Sequence, residues 1–154
     1  MRIPKRRYDI VVEILCILCL LGTFLYLIIT WNNIPDEIPG HYNAVGQVDR
    51  LTKKSSIFAV PIVNLIMYIG MSAVERFPQV WNTGVRITEE NRSRVYRIIK
   101  DMVKTIKLLV VIVFSYLTIN SAIATQLSPW FSPVFLILMF GSLIYFIVKL
   151  IINK

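Results

Sequence analysis

Residues 108–148 read LLVVIVFSYLTINSAIATQLSPWFSPVFLILMFGSLIYFIV, forty-one consecutive positions without an Asp, Glu, Lys or Arg. As one continuous helix this stretch would be about 60 Å long, twice the roughly 30 Å hydrocarbon thickness of a bilayer. It must therefore fold back on itself. The place is marked by Gln126, Ser128, Pro129, Trp130, Ser132 and Pro133, a polar group in which the prolines remove backbone donors and favour a turn.

Two further uncharged blocks lie upstream, at residues 14–31 and 55–74, each long enough for one crossing of about 20 residues. The composition agrees, with 56% apolar and only 17% charged residues in 154, a balance suited to a lipid solvent. The fold class that follows is an all-α membrane protein, a four-transmembrane-helix bundle with a cytoplasmic amphipathic extension of the third helix. A single membrane domain is expected, with helices at about 10–31, 56–75, 88–126 and 132–151 and an outer loop at 32–55. Arg2, Lys5, Arg6 and Arg7 precede the first apolar run as they would in a secretory signal, but the run is long and no small-x-small pattern closes it, so it reads as a retained helix.

Basic residues number four before the first crossing, three in the first loop (Arg50, Lys53, Lys54), eight in the second, none in the third and two at the end. With four crossings, fourteen fall on one side and three on the other. The positive-inside rule makes the richer side cytoplasmic, predicting a multi-pass cell-membrane protein with both termini inside. Trp31 and Trp130 then fall at the outer interface, where indoles prefer to sit. Because topology accounts for the net charge of +8, no nucleic-acid partner is expected, and anionic inner-leaflet lipids are the natural counter-charge.

Residues 88–107, TEENRSRVYRIIKDMVKTIK, place Val95, Ile98, Ile99, Met102, Val103 and Ile106 at helical spacing, with Arg94, Arg97, Lys100, Lys104 and Lys107 forming a basic face. Thr88 is a candidate N-cap, with Glu89 and Glu90 in the first turn where the helix dipole favours negative charge. The expectation is a solvated, lipid-facing juxtamembrane helix. The alternative is a docking face for a cytoplasmic regulator.

The outer segment gathers the polar and turn-forming residues, running from Ile34 as IPDEIPGHYNAVGQVDRLTKK. Gly46 suits a turn of positive φ, flanked by Asn43 and Asp49 as side-chain turn formers. The run resembles the P-x-x-I-P-x-H-[WY]-N-x-x-G-x-x-D-x-x-x-x-K signature of the domain of unknown function at the start of SdpI-type bacteriocin immunity proteins. Pro35, Ile38, Pro39, His41, Tyr42, Asn43, Gly46, Asp49 and Lys54 meet it, with Lys53 offering the same charge one position earlier. More weakly, residues 82–96 are similar to an N-x-x-V-x-I-T-x-E-N segment of short family members. The resemblance implies protection from a secreted toxic peptide and, for full-length members, capture of a cytoplasmic repressor. This chain departs from those members in having four crossings rather than six and lacking their second half.

The candidate ligand residues are thus His41, Asn43, Gly46, Asp49, Lys53 and Lys54, beside the plainer reading that the motif only folds the loop. His41 is the only histidine. With Asp36, Glu37 and Asp49 as the other donors, His41 and Asp49 are weak metal candidates against the three or four ligands zinc wants, and no cofactor is expected. One histidine without a nucleophile-elbow motif does not make a triad, so an enzyme is the less favoured class. An enzyme acting on lipid headgroups through His41 and Lys53 or Lys54 is the rival to binding an extracellular peptide or lipid. A homo-oligomer is left open. Within the crossings, Cys16 and Cys19 read as small buried apolar residues, Asn64 and Asn120 as cross-helix hydrogen bonders, and Glu13 and Glu75 as shallow, hydrated acids.

Overall fold

A computed structural model describes residues 3–153; Arg2 and Lys154, counted above among the basic residues of one side, lie outside them. Four helices dominate, α1 (Arg7–Thr30), α2 (Ala59–Arg76), α3 (Arg92–Ala122) and α4 (Phe131–Ile152). With short flanking turns on the first two, all four are long and apolar enough to cross a membrane. The chain is a multi-pass helical membrane protein.

The helices do not form a closed ring. α3 is the hub, packing along α1, α2 and α4, whereas α1 and α2 touch each other little. Two small apolar clusters tie the arrangement together. Val12, Cys16 and Leu20 of α1 meet Val111 of α3 near one end, and Leu27, Ile34, Ile38, Ile57 and Ala122 meet at the other. Val95, Ile98, Ile99, Val110, Leu127 and Phe146 are also buried, while many other apolar side chains, including most of α4, face outward, as a lipid solvent permits.

Helix ends differ from expectation for local reasons. α3 stops at Ala122 rather than near 126 because Ala124 takes a left-handed φ of 52°, a conformation that ends helices. Asn120 braces that turn, donating from Nδ2 to the Thr125 carbonyl at 2.8 Å and accepting from the Thr125 hydroxyl at 3.1 Å. Ser132 and Pro133, read above as part of the turn, sit in the first turn of α4, where a missing proline N–H costs nothing. At the other end of α3, the expected start at Thr88 is a capped turn instead. The Asn91 N–H donates to the Thr88 hydroxyl at 3.2 Å and the Thr88 N–H to Asn91 Oδ1 at 2.8 Å, a reciprocal cap with Asn in the place usually held by an acid.

The loop between α1 and α2 is not irregular. Strands β1 (Glu37–Tyr42) and β2 (Val48–Lys53) pair antiparallel, an element that was not expected. Asn43 closes its three-residue turn. Its carbonyl accepts the Gly46 N–H at 2.9 Å, and its side-chain oxygen accepts the N–H groups of Val45 at 3.1 Å and Gln47 at 2.9 Å. Gly46 follows at φ 85°, the left-handed position such a loop requires.

Candidate functional site

A lone two-stranded hairpin is marginal in water, so its position depends on anchors to the helices. Ile38 is buried in the apolar cluster beneath the strands. The Ser121 hydroxyl donates to the Pro39 carbonyl at 2.7 Å, and Asn120 Nδ2 donates to the Tyr42 hydroxyl at 3.0 Å. Burial raises the Tyr42 phenol above its ordinary pKa, against the opposing hydrogen bond from Asn120. At the tip, the Leu127 N–H donates to the Gly46 carbonyl at 2.8 Å. The hairpin is therefore latched to the α3–α4 turn as well as to the helix ends.

Two irregularities in strand pairing set the site. Pro39 pairs with Leu51 and His41 with Arg50, leaving Gly40 extra in β1; Tyr42 then pairs with Val48, leaving Asp49 extra in β2. Bulges of this kind re-aim side chains. Here they bring Asp49 Oδ1 to 2.7 Å from His41 Nδ1, with both side chains exposed and Arg50 beside them in a shallow depression. Gly40 is required for close approach, since a Cβ there would lie 2.9 Å from the Thr52 side chain. Beneath the strands a cavity of about 400 Å³ opens between the hairpin, the start of α2 and the end of α3, with Arg50, Thr52, Ser56, Thr118 and Ser121 supplying its polar lining.

The six sequence candidates separate on this geometry. His41 and Asp49 come together. Asn43 spends its side-chain oxygen on the turn, and Gly46 serves backbone close packing, because a Cβ there would meet the Leu127 carbonyl at 2.6 Å. Lys54 lies over the Trp31 ring at 4.6 Å, with Trp31 stacked on Phe58. Lys53 is exposed at the end of β2. Arg50, absent from the candidates, borders both the depression and the cavity; its position opposite His41 follows from the bulges, which no spacing rule marked. Among the described residues no three His, Cys, Asp or Glu side chains are grouped to share a metal ion.

At the opposite end of the helices, the basic face of α3 is not solvated. Arg97, Lys104 and Lys107 are buried, while Arg94 stays exposed and Lys100 half-buried. Arg97 Nη1 lies 3.1 Å from Asp9 Oδ2 while its Nη2 donates to the Pro4 carbonyl, and Lys100 reaches the same carboxylate at 3.8 Å. Lys104 Nζ meets Glu75 at 2.9 Å and Glu13 at 3.5 Å. Lys107 Nζ, fully buried, lies 3.0 Å from Glu13, is hydrogen-bonded to Glu75 and donates to the Ser72 hydroxyl at 3.2 Å, while the Tyr68 hydroxyl donates to Glu13. Glu75 is thus not a hydrated acid, and Arg97, Lys104 and Lys107 are withdrawn from any soluble partner. The physical reason is mutual. Acids on α1 and α2 near the membrane edge and bases on α3 each lower the other's cost of leaving water. A sequence signal existed, since Asp9 and Glu13 stand i, i+4 on one face of α1 and the α3 bases recur every three or four positions.

The amides differ from each other. Asn64 does bond across helices, from Nδ2 to the Val111 carbonyl at 3.1 Å and the Ser115 hydroxyl at 3.3 Å. Asn120 does not, bonding instead to the hairpin and to its own terminal turn. Cys16 is buried within the apolar cluster of α1 and α3, and both cysteines are free thiols.

The fold and site define a multi-pass helical membrane protein capped at one end by a latched β-hairpin. The family described as Domain of unknown function (DUF1648) matches residues 17–65, which take in most of α1, the whole hairpin and the start of α2. An uncharacterized protein of Archaeoglobus fulgidus is 26% identical over 84 residues, covering 46% of this chain and 46% of that protein, so the chain matches less than half the length of that curated relative. No solved structure matches the chain.

Proposed function

We propose that the protein binds a peptide or other ligand at the outer face of a bacterial cytoplasmic membrane, in the manner of SdpI-type toxin immunity, with the hairpin outside and both termini inside. The orientation rests on the distribution of basic residues. The observation that carries the reading is Arg50, a cation held at a strand bulge where it borders both the His41–Asp49 depression and the cavity beneath. Rigid placement of few polar groups over a cavity is what specific binding needs. The match over residues 17–65 supports the reading by covering the whole hairpin.

The test is survival of a sensitive bacterium expressing the protein and challenged with a membrane-active peptide bacteriocin. Expression should raise the killing dose at least about tenfold, and Arg50→Ala or Asp49→Ala should remove the gain at unchanged membrane abundance. Absence of protection, or protection indifferent to both substitutions, refutes it.

A second reading rests on the His41–Asp49 bond. A carboxylate on Nδ1 orients an imidazole and leaves Nε2 free as a base, an arrangement suited to chemistry on a lipid headgroup. Release of headgroup product from phospholipid vesicles by the purified protein, abolished by His41→Ala, would select this reading.

A further inference from the structure

At the charged end, α1 and α2 each lie against α3 and touch one another little, and a cleft of about 420 Å³ opens between them. Its two halves differ in chemistry. Ile10, Ile14 and Ile17, spaced i, i+4, i+7 along α1, make an apolar wall, and its polar groups are Lys5, Arg76, Lys100 and Lys104 with Asp9, Glu13, Glu75 and Ser72. Every carboxylate inside has a basic partner. Asp9, Glu13, Glu75 and Asp101 are met by Arg97, Lys100, Lys104 and Lys107, with Arg6 adding to Asp101 at 3.8 Å. Lys5 and Arg76 have no acidic partner among the described residues, and both are exposed.

We propose that this cleft holds one anionic phospholipid, its phosphate between Lys5 and Arg76 and an acyl chain along Ile10, Ile14 and Ile17. Each carboxylate of the cleft faces at least one base, although Asp9 Oδ1 accepts no hydrogen bond, so Lys5 and Arg76, which lack an acidic partner, make the site net positive. The isoleucine wall selects a ligand with an apolar tail over a soluble anion, since burying methylenes is favourable only for a ligand that carries them. A choline headgroup adds a positive charge for which the site has no unpaired acid. The inference stands apart from the hairpin and its function.

The full chain, purified in a non-ionic detergent, is titrated with dioleoylphosphatidylglycerol, with dioleoylphosphatidylcholine and with inorganic phosphate, and read by native mass spectrometry and by unfolding temperature. Phosphatidylglycerol should bind and stabilise at a level the other two do not reach. Lys5→Gln and Arg76→Gln, both at exposed positions, should each weaken it about fivefold. Ile14→Trp, which fills the wall while keeping both cations, should also weaken it. Equal binding of the two lipids, retention of full affinity in the Lys5→Gln/Arg76→Gln double variant, or the same stabilisation by inorganic phosphate would each overturn the proposal, the last by assigning the site to a free anion.

Discussion

Gly46 answers two demands at once, a left-handed φ of 85° and room for the Leu127 carbonyl, 2.6 Å from where a Cβ would stand. Either alone disfavours a side chain, and neither can be relieved without the other, since turning the peptide would break the hydrogen bond from the Leu127 N–H. Gly46→Ala should therefore destabilise the fold by about 1–3 kcal/mol, read as a lower midpoint of unfolding in denaturing detergent. Val45→Ala, one residue away and exposed, should leave that midpoint within about 0.5 kcal/mol of the parent. The glycine was legible from sequence as a turn residue. Its second role was not, because Leu127 lies 81 positions further along the chain.

Among the elements, α3 carries the most. At 31 residues it is about 46 Å long, longer than the roughly 30 Å hydrocarbon layer, and the excess bears the bases that clamp α1 and α2. Lys107 is the most deeply placed of them, fully buried between Glu13 and Glu75. Lys107→Met should cost about 1–3 kcal/mol, since both carboxylates lose one of their two bases and keep Lys104. Adding Glu75→Gln should recover part of the loss, and the same detergent unfolding assay reads both; no recovery on adding the second substitution, or no loss from the first, would mean the ion pairs are not the clamp. The strands taught a different lesson. Pro39 and Gly40 are depleted in sheets, so β1 does not read as a strand locally, and it persists because Ile38, Ser121 and Asn120 hold it from the helices.

For the whole molecule, crossings were readable because they follow from segregation of charge along one dimension, whereas which face of each helix meets which neighbour does not. The basic stripe on α3 looked solvated for that reason. Orientation has a direct check. In a background with Cys16→Ala and Cys19→Ala, a membrane-impermeant maleimide should label Val45→Cys in intact cells and Glu90→Cys only after permeabilisation. The reverse pattern would place the hairpin inside and remove its outer-face role.

The tie between Gly46 and Leu127 has one more implication. Both of its atoms belong to the main chain, so no exchange of the Leu127 side chain deletes it outright except to proline, which lacks the N–H. Tolerance around that joint should accordingly be governed by spacing: many amino acids would serve between Thr125 and Trp130, yet a single inserted residue would slide the donor out of reach and set the hairpin adrift from the helices below.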